Sequence, residues 1–178
     1  MKRTLLITAT LMLSITTAFA QKNTSTSYIE QFKDNAISIM HETGIPASII
    51  LGIAMHESGN GNSSIATHLN NQFGIKGGYT TTYTKNKKKV RSAYKKYDSI
   101  VESFADFARI ITKRQDAGKI SPELTQFDYV KWVKGIQRSG YASSKKWASQ
   151  VLGIINKYDL DELDKTTPVD PAKVAQAN

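Results

Sequence analysis

Apolar residues recur at helical spacing in several stretches of the chain, and segments rich in glycine, asparagine or proline separate these stretches. The stretch 46–58 is apolar nearly all round, which predicts a helix buried at the centre of the fold. Residues 79–94 are instead rich in threonine, tyrosine and valine around Lys85-Asn86-Lys87, which predicts a short β-hairpin. We therefore predict one mainly α-helical domain with a helical core and a small β-hairpin lobe. The other predicted helices cover residues 27–43, 62–69, 99–111, 125–140 and 144–158.

The ends of the predicted helices carry recognisable signals. Gly44 provides a stop for the first helix, and Pro46 suits the first turn of the second. Ser99 and Glu102 have the spacing of a capping box at the start of the fourth helix. From residue 165 onward the chain holds two prolines and no apolar pattern, so we expect residues 165–178 to be a disordered tail.

The first twenty residues have the organisation of a secretory signal. Lys2 and Arg3 form a positive start, residues 5–15 form an apolar core, and Ala18-Phe19-Ala20 is a small-x-small cleavage site. The apolar run is too short to span a bilayer, which favours a removed signal peptide over the alternative of a retained N-terminal anchor. We therefore expect cleavage near Ala20, a domain over residues 21–164, and a periplasmic or secreted protein without stable membrane insertion.

Composition indicates the class of partner and excludes several kinds of site. The chain has 178 residues, a formal charge of +9 and an isoelectric point near 9.6. This charge indicates an anionic partner, for which nucleic acid, a membrane surface and an acidic wall polymer are candidates. Export makes nucleic acid the weakest of the three. The absence of cysteine excludes disulfide scaffolds, cysteine-ligated zinc, iron–sulfur clusters and thiol nucleophiles.

Glu57 is the strongest candidate for a catalytic residue. It lies one turn after Ile53 and Ala54, at the C-terminal end of the most apolar predicted helix. Burial and the negative end of the helix dipole both disfavour a charged carboxylate there, which suits a general acid that protonates a glycosidic oxygen. The alternative is a surface glutamate at a frayed helix end, and the physics of this position alone leaves both interpretations open.

We predict neither a metal site nor a cofactor site. His56-Glu57 is similar to the start of a zinc-protease motif, but Asn60 stands where the second histidine should fall. His41, His56 and His68 are separated by 15 and 12 residues, and these spacings match no metal signature.

A window of forty residues, from Ser58 to Tyr97, contains no aspartate or glutamate. A glycosidase with two catalytic carboxylates would need its second one elsewhere. Asp98 is the nearest in sequence, although a helix N-cap role explains it more simply. Aromatic residues are plentiful around the window, and their faces suit stacking on sugar rings as well as packing in a core.

Four motifs stand in order along the chain. They are residues 44–48 leading into Ala54-Met55-His56-Glu57-Ser58-Gly59, then Asn70-Asn71-Gln72-Phe73-Gly74-Ile75-Lys76, then Tyr97-Asp98-Ser99, and finally Gly140-Tyr141-Ala142 with Trp147-Ala148. Together they resemble the glucosaminidase domain, glycoside hydrolase family 73, of peptidoglycan hydrolases and flagellar muramidases. The resemblance covers residues 44–164.

The resemblance implies a lysozyme-like α+β fold and an endo-β-N-acetylglucosaminidase, which hydrolyses β-1,4 bonds after N-acetylglucosamine in peptidoglycan. Glu57 matches the family's general acid. Tyr141 matches a tyrosine near that acid, where its hydroxyl would orient substrate or water. The further motif positions expected to bind substrate are Asn71, Phe73, Tyr97 and Asp98.

This sequence departs from the family's pattern at two points. Asn60 replaces an aromatic residue that often follows Glu-Ser-Gly, and the β-lobe lacks the second glutamate that members often carry. We therefore hypothesise that the substrate's own 2-acetamido group assists departure of the leaving group, which predicts retention of the anomeric configuration. Two alternatives stay open: a muramidase or lytic transglycosylase acting on the same polymer, and a non-catalytic cell-wall-binding module.

The excess positive charge is concentrated in one segment of the predicted β-lobe. Seven basic residues and no acid lie between Lys85 and Lys96. We predict that these residues, Lys87 and Lys88 among them, bind the carboxylates of wall peptides, and that salt weakens the attraction. The expected partner is the peptidoglycan glycan strand rather than nucleic acid, and the protein is expected to be a monomer.

Overall fold

The computed structural model describes residues 22–85 and 88–167, which form a mainly helical fold with one small antiparallel sheet. This confirms the predicted fold class. The predicted signal segment and residues 168–178 of the predicted tail lie outside the described residues, whereas Lys165 closes a 3-10 helix. None of the helices in the described ranges is long and apolar enough to cross a membrane. In chain order the elements are α1 (Ser25–Thr43), α2 (Ala47–Ser58), α3 (Ser64–Leu69), β1 (Lys76–Lys85), β2 (Lys88–Tyr94), α4 (Ile100–Asp116), α5 (Tyr129–Arg138), α6 (Trp147–Lys157) and the 3-10 helix (Leu160–Lys165).

Helix α2 lies at the centre of the fold, as its apolar sequence predicts. Every residue from 47 to 55 is buried, and α2 packs against α1, α6 and the 3-10 helix. Gly52 permits the close contact with α6, because a β-carbon there would lie 2.9 Å from Cγ1 of Ile155. Gly59 ends the helix with a φ of 59°, a conformation that glycine adopts without strain. A well-packed central helix therefore carries Glu57 in its last turn.

The N-terminal end of α2 is held by a side chain from the far end of the described chain. Pro46, at the N-cap position, makes no side-chain cap. Instead, the Asp164 carboxyl group in the 3-10 helix accepts hydrogen bonds from the Ser48 N–H at 2.8 Å and the Ser48 hydroxyl at 2.6 Å. Burial raises the pKa of Asp164 to about 6, although the bonds from Ser48 act to lower it.

Helix α4 begins with the predicted cap, in a slightly different form. The Ser99 hydroxyl accepts a hydrogen bond from the Glu102 N–H at 3.2 Å, as a capping box requires. The Glu102 carboxylate, however, accepts from the Asp98 N–H at 2.9 Å, one residue before the cap. The N-cap role considered for Asp98 therefore belongs to Ser99, and Asp98 supports the cap through its backbone.

Helix α5 begins later than the sequence pattern predicts. The Asp128 carboxylate accepts hydrogen bonds from the Thr125 N–H at 3.1 Å and the Thr125 hydroxyl at 2.9 Å, so residues 125–128 form a turn and α5 begins at Tyr129. Val130, an apolar residue of the predicted 125–140 helix, is 39% exposed. It lies outside the buried stripe of α5, which consists of Trp132, Val133, Gly135 and Ile136.

Strands β1 and β2 form the predicted hairpin. They pair antiparallel with Thr82 opposite Arg91, and the register is irregular between Lys76 and Tyr79. Lys87 lies outside the described residues, and only the backbone of Lys88 is described. The proposed roles of these two lysines therefore stay predictions.

An ionic cluster around Asp106 ties the base of the hairpin to α4. Its Oδ2 accepts hydrogen bonds from the Lys95 ammonium group and the Tyr97 hydroxyl, each at 2.7 Å, while Oδ1 pairs with Arg109. Burial alone would raise the pKa of Asp106, but these donors outweigh it and lower the pKa to about 2. Asp106 is therefore ionised at neutral pH, and it neutralises Lys95, one of the basic residues of the lobe.

Candidate active site

Glu57 lies half-buried in the wall of a cleft of about 1060 Å³. The walls come from five parts of the chain: the last turn of α2, residues 63–65, the loop 71–74, the hairpin lobe and residues 141–147. This volume is at the upper end of the range of about 300–1,000 Å³ for small-molecule pockets. Among the described residues, Glu57 is the only carboxylate that lines the cleft. The cleft thus presents one acid to a large ligand.

Trp147 holds the Glu57 side chain in place. Its indole Nε1–H donates a hydrogen bond of 2.7 Å to Oε1 of Glu57, and the indole is buried against the His56 ring at 6.4 Å in an edge-on arrangement. An indole N–H donates only, so Oε1 acts as an acceptor whether or not the carboxyl group is protonated. A transferable proton therefore belongs on Oε2, and a β-carbon at Gly74 would lie 3.9 Å from that oxygen.

Tyr141 lies beside this pair and lines the cleft. Its hydroxyl donates a hydrogen bond of 3.2 Å to the Phe73 carbonyl oxygen, and its ring packs 5.6 Å from that of Trp147. Burial, followed by the negative charge of Glu57, raises the pKa of Tyr141 well above its usual value of 10.0, although Arg114 opposes the shift. The hydroxyl therefore stays protonated, and its oxygen has lone pairs available to accept a hydrogen bond from a ligand or water.

A smaller hollow of about 290 Å³ adjoins the cleft at Glu57. Glu57, Gly74, Lys76 and Tyr141 line both spaces, and the hollow adds Arg114 from α4 to its lining. The described lining of the hollow contains no second carboxylate. Two basic side chains, those of Lys76 and Arg114, therefore share the lining of the hollow with one carboxylate.

Two of the predicted substrate-binding residues shape the loop beneath the cleft. Asn71 lines the cleft but is almost fully buried, and its amide donates to the carbonyl oxygens of Ile75 and Lys95, each at 2.9 Å. Phe73 is also buried, and its ring stacks on that of Phe107 at 4.2 Å. The structure therefore places the Phe73 ring in the core, where neither face is open to a sugar.

The other two predicted substrate-binding residues do not line the cleft. Tyr97 is 5% exposed, and its hydroxyl donates a hydrogen bond to Asp106. Asp98 is exposed, and its carbonyl oxygen accepts a hydrogen bond from Asn70 at 3.2 Å. Their motif therefore fixes the junction between hairpin and α4, while Glu57 and Tyr141 are brought together as predicted.

Trp147, Arg114 and Lys76 are functional candidates that the sequence did not single out. Trp147 falls within the last predicted helix, and its place in the same motif as Tyr141 is a signal for the site. Lys76 is the last residue of the second motif, and Arg114 lies on α4 outside all four motifs. Only the folded chain brings these two side chains together with Glu57 in the lining of one hollow.

We expect Trp147→Phe to lower kcat by about 10- to 100-fold while KM and the melting temperature change little. Phenylalanine keeps most of the packing but removes the N–H that fixes which Glu57 oxygen carries the proton. Steady-state kinetics on glycan strands and a thermal melt measure the two effects. Trp132→Phe is the matched control, because it removes the indole bond to the Thr125 carbonyl far from the cleft and should lower stability without lowering kcat. A Trp147→Phe enzyme with unchanged kcat contradicts the assignment.

The sequence matches a known family over most of its length. Residues 33–160 match the family model for glucosaminidase, described as mannosyl-glycoprotein endo-β-N-acetylglucosaminidase. The exo-glucosaminidase LytG of Bacillus subtilis (strain 168) is 32% identical over 152 residues, which cover 79% of this chain and 54% of that protein. The chain thus spans about half the length of this curated relative.

Solved structures resemble the fold. An N-acetylmuramoyl-L-alanine amidase from Staphylococcus aureus aligns with a TM-score of 0.68 and 22% identity, over 88% of this chain and 48% of that one. The glycoside hydrolase domain of FlgJ from Salmonella typhimurium aligns with a TM-score of 0.60 and 21% identity, over 87% of this chain and 95% of that one. At these identities the likeness shows the fold alone, which is lysozyme-like as the motifs imply.

Proposed function

Because this chain belongs to the glucosaminidase family, we propose that it is an exported enzyme that hydrolyses the β-1,4 bond after N-acetylglucosamine in peptidoglycan. The observation that carries the proposal is the Glu57 carboxyl group, held by the Trp147 N–H at 2.7 Å in the wall of a cleft of about 1060 Å³. A protein that only bound the wall would not require an oriented acid there. The cleft volume supports an endo-acting enzyme, since it exceeds what one sugar unit fills.

In the proposed first step, Glu57 acts as the general acid. Its Oε2 transfers a proton to the glycosidic oxygen as the bond from that oxygen to C1 breaks, and the leaving sugar departs with a neutral hydroxyl. Oε1 keeps its hydrogen bond to Trp147 throughout, so the carboxyl group does not need to rotate during proton transfer. Tyr141 accepts a hydrogen bond from the substrate or from the water of the second step.

The substrate supplies the second catalytic group in this proposal. The carbonyl oxygen of the 2-acetamido group attacks C1 as the leaving group departs, forming a cyclic oxazolinium ion. Water then attacks C1 and gives a proton to the Glu57 carboxylate, which restores the acid and opens the ring. Support comes from the cleft lining, in which Glu57 is the only carboxylate among the described residues. Two successive inversions at C1 give a retained configuration.

Digestion of purified sacculi tests the proposal. Mass spectrometry should find N-acetylglucosamine at the new reducing ends, and NMR during the reaction should find the β anomer first. Reducing-end N-acetylmuramic acid indicates a muramidase, 1,6-anhydro-muramic ends indicate a lytic transglycosylase, and an inverted product overturns substrate assistance. Chain length separates endo from exo action, because an endo enzyme releases a mixture of oligomers early and an exo enzyme releases terminal units only.

A further inference from the structure

Arg114 has hydrogen-bonding capacity that the described protein does not use. Its Nη1 donates to the carbonyl and hydroxyl oxygens of Ser139, and its guanidinium carbon lies 5.9 Å from the centre of the Tyr141 ring. In the part of the chain that the structure describes, Nε and Nη2 have no partner, and no carboxylate forms an ion pair with this arginine. The guanidinium group is thus anchored on one side and has three N–H donors left.

A second cation is held near Arg114 in the same hollow. The Lys76 ammonium group donates to the Ser92 hydroxyl at 2.7 Å and lies 3.7 Å from the centre of the Tyr94 ring. Lys76 lines both the cleft and the hollow, and it adds a positive charge to their shared lining. Neither contact neutralises that charge.

The size of the hollow restricts what it can accept. Its volume of about 290 Å³ lies just below the range of about 300–1,000 Å³ for pockets that enclose a whole small ligand. A side group of a larger ligand in the main cleft suits it better than a sugar chain. An anionic side group suits its charge, because Glu57 is the only acid in the described lining.

We propose that Arg114, assisted by Lys76, binds a carboxylate that the substrate carries next to the bond being cleaved. This inference rests on the proposed function of the same site. A carboxylate accepts two parallel N–H bonds from a guanidinium group, a geometry that an ammonium group cannot reproduce. In peptidoglycan the carboxylate is either that of a stem peptide or, on sugars without a peptide, that of the lactyl group. Arg114 is then a specificity residue that selects charged wall strands over neutral N-acetylglucosamine polymers.

Kinetics on three substrates test the inference. The substrates are native glycan strands, strands whose carboxylates have been coupled to methylamine, and strands freed of peptides so that only lactyl carboxylates remain. We expect Arg114→Gln to lower kcat/KM on native strands by about 10- to 100-fold, and to match the wild type on the methylamine-coupled strands. Loss of activity on the peptide-free strands as well shows that the site also accepts the lactyl carboxylate, whereas wild-type activity there assigns the stem peptide.

Matched variants separate recognition from a structural role. Lys113→Gln makes the same change of charge at the preceding, exposed position of α4 and should match the wild type on all three substrates. Arg114→Lys keeps the charge but loses the paired donors, so it should lie between Arg114→Gln and the wild type. An Arg114→Gln enzyme that is equally slow on native and methylamine-coupled strands, or that is unimpaired on native strands, overturns the inference.

A binding measurement keeps the inference separate from the proposed function. In a Glu57→Gln background, sedimentation with native and methylamine-coupled strands measures affinity without cleavage. Addition of Arg114→Gln should weaken binding to native strands only, and equal binding to native strands with and without Arg114→Gln contradicts carboxylate recognition. If the otherwise unchanged protein cleaves none of the strands, the proposed function fails, whereas this comparison still gives a result for Arg114.

Discussion

Glu57→Gln should abolish the release of soluble fragments from sacculi, with a loss of at least about 10²- to 10⁴-fold in rate. Glutamine keeps the shape of the side chain and an oxygen for the Trp147 N–H, but it has no proton to give to the glycosidic oxygen. The fold should be unaffected, since Glu57 is half-buried and its bond to Trp147 persists. Release of labelled fragments over time, together with a thermal melt, measures both expectations.

Glu123→Gln is the control for the loss at Glu57. It removes the same charge at an exposed position outside the cleft and should match the wild type in rate. Sedimentation with sacculi should be nearly unchanged for Glu57→Gln, because the variant still presents the same cleft and the same cations. Equal release of fragments by the wild type and by Glu57→Gln would contradict a catalytic role and would favour the alternative interpretation, a surface glutamate at a helix end.

Asp164→Ala should lower the free energy of unfolding by about 3 kcal/mol, because it leaves two buried donors of Ser48 without an acceptor, each at a cost of about 1–3 kcal/mol. Asp164 lies far from the cleft, but it acts on the first turn of α2, the helix that carries Glu57. Urea unfolding followed by circular dichroism measures the change. Glu162→Ala, which removes an exposed carboxylate from the same 3-10 helix, should cost less than 1 kcal/mol, as exposed ion pairs do.

The pH dependence gives a second test of the contact between Asp164 and Ser48. Burial raises the pKa of Asp164 from 3.8 to about 6, so the fold favours the protonated carboxyl group. The stability that the protonated Asp164 contributes to the fold is therefore complete below pH 3.8, and it is lost as the pH rises through about 6. Asp164→Asn, which keeps one acceptor oxygen and never ionises, should remove this pH dependence. A variant with the same pH profile as the wild type contradicts the assignment.

Patterns of apolar residues predicted the architecture well, and local side chains explain where they did not. The segment that became α2 is apolar on all sides, a pattern that only a central helix satisfies. The start of α5 was missed because Asp128 uses its carboxylate to close a turn on Thr125, and the competition between a turn and a cap is not visible in residue spacing.

The candidate site was predictable only where a single residue carried its own signal. Glu57 combines an apolar helix, a helix end and following glycines, and all three signals lie within a few residues. Trp147 is 90 positions away in sequence, so its bond to Glu57 depends on how α6 packs against α2. Phe73 and Tyr97 show that aromatic residues near a cleft give no sign of whether a ring faces a sugar or the core.

The folded hairpin lobe presents less positive charge than its sequence suggests, because α4 supplies a carboxylate to it. Counting charges predicts a uniform cationic surface, but Asp106 on α4 takes up the charge of Lys95. Asp106 lies outside the acid-free window of residues 58–97 in sequence, but the fold places its carboxylate against Lys95, which lies inside that window. Charge along a sequence therefore overstates the charge that the folded lobe presents.

The distance along the chain between Ser48 and Asp164 has a consequence for biosynthesis. The helix that carries Glu57 is complete at residue 58, but the carboxyl group that satisfies its first turn is 116 residues further along than Ser48. A growing polypeptide that ends before the 3-10 helix lacks that contact, and one that ends before residue 147 lacks the indole that orients Glu57. The cleft with both contacts can therefore assemble only after nearly the whole domain has been made.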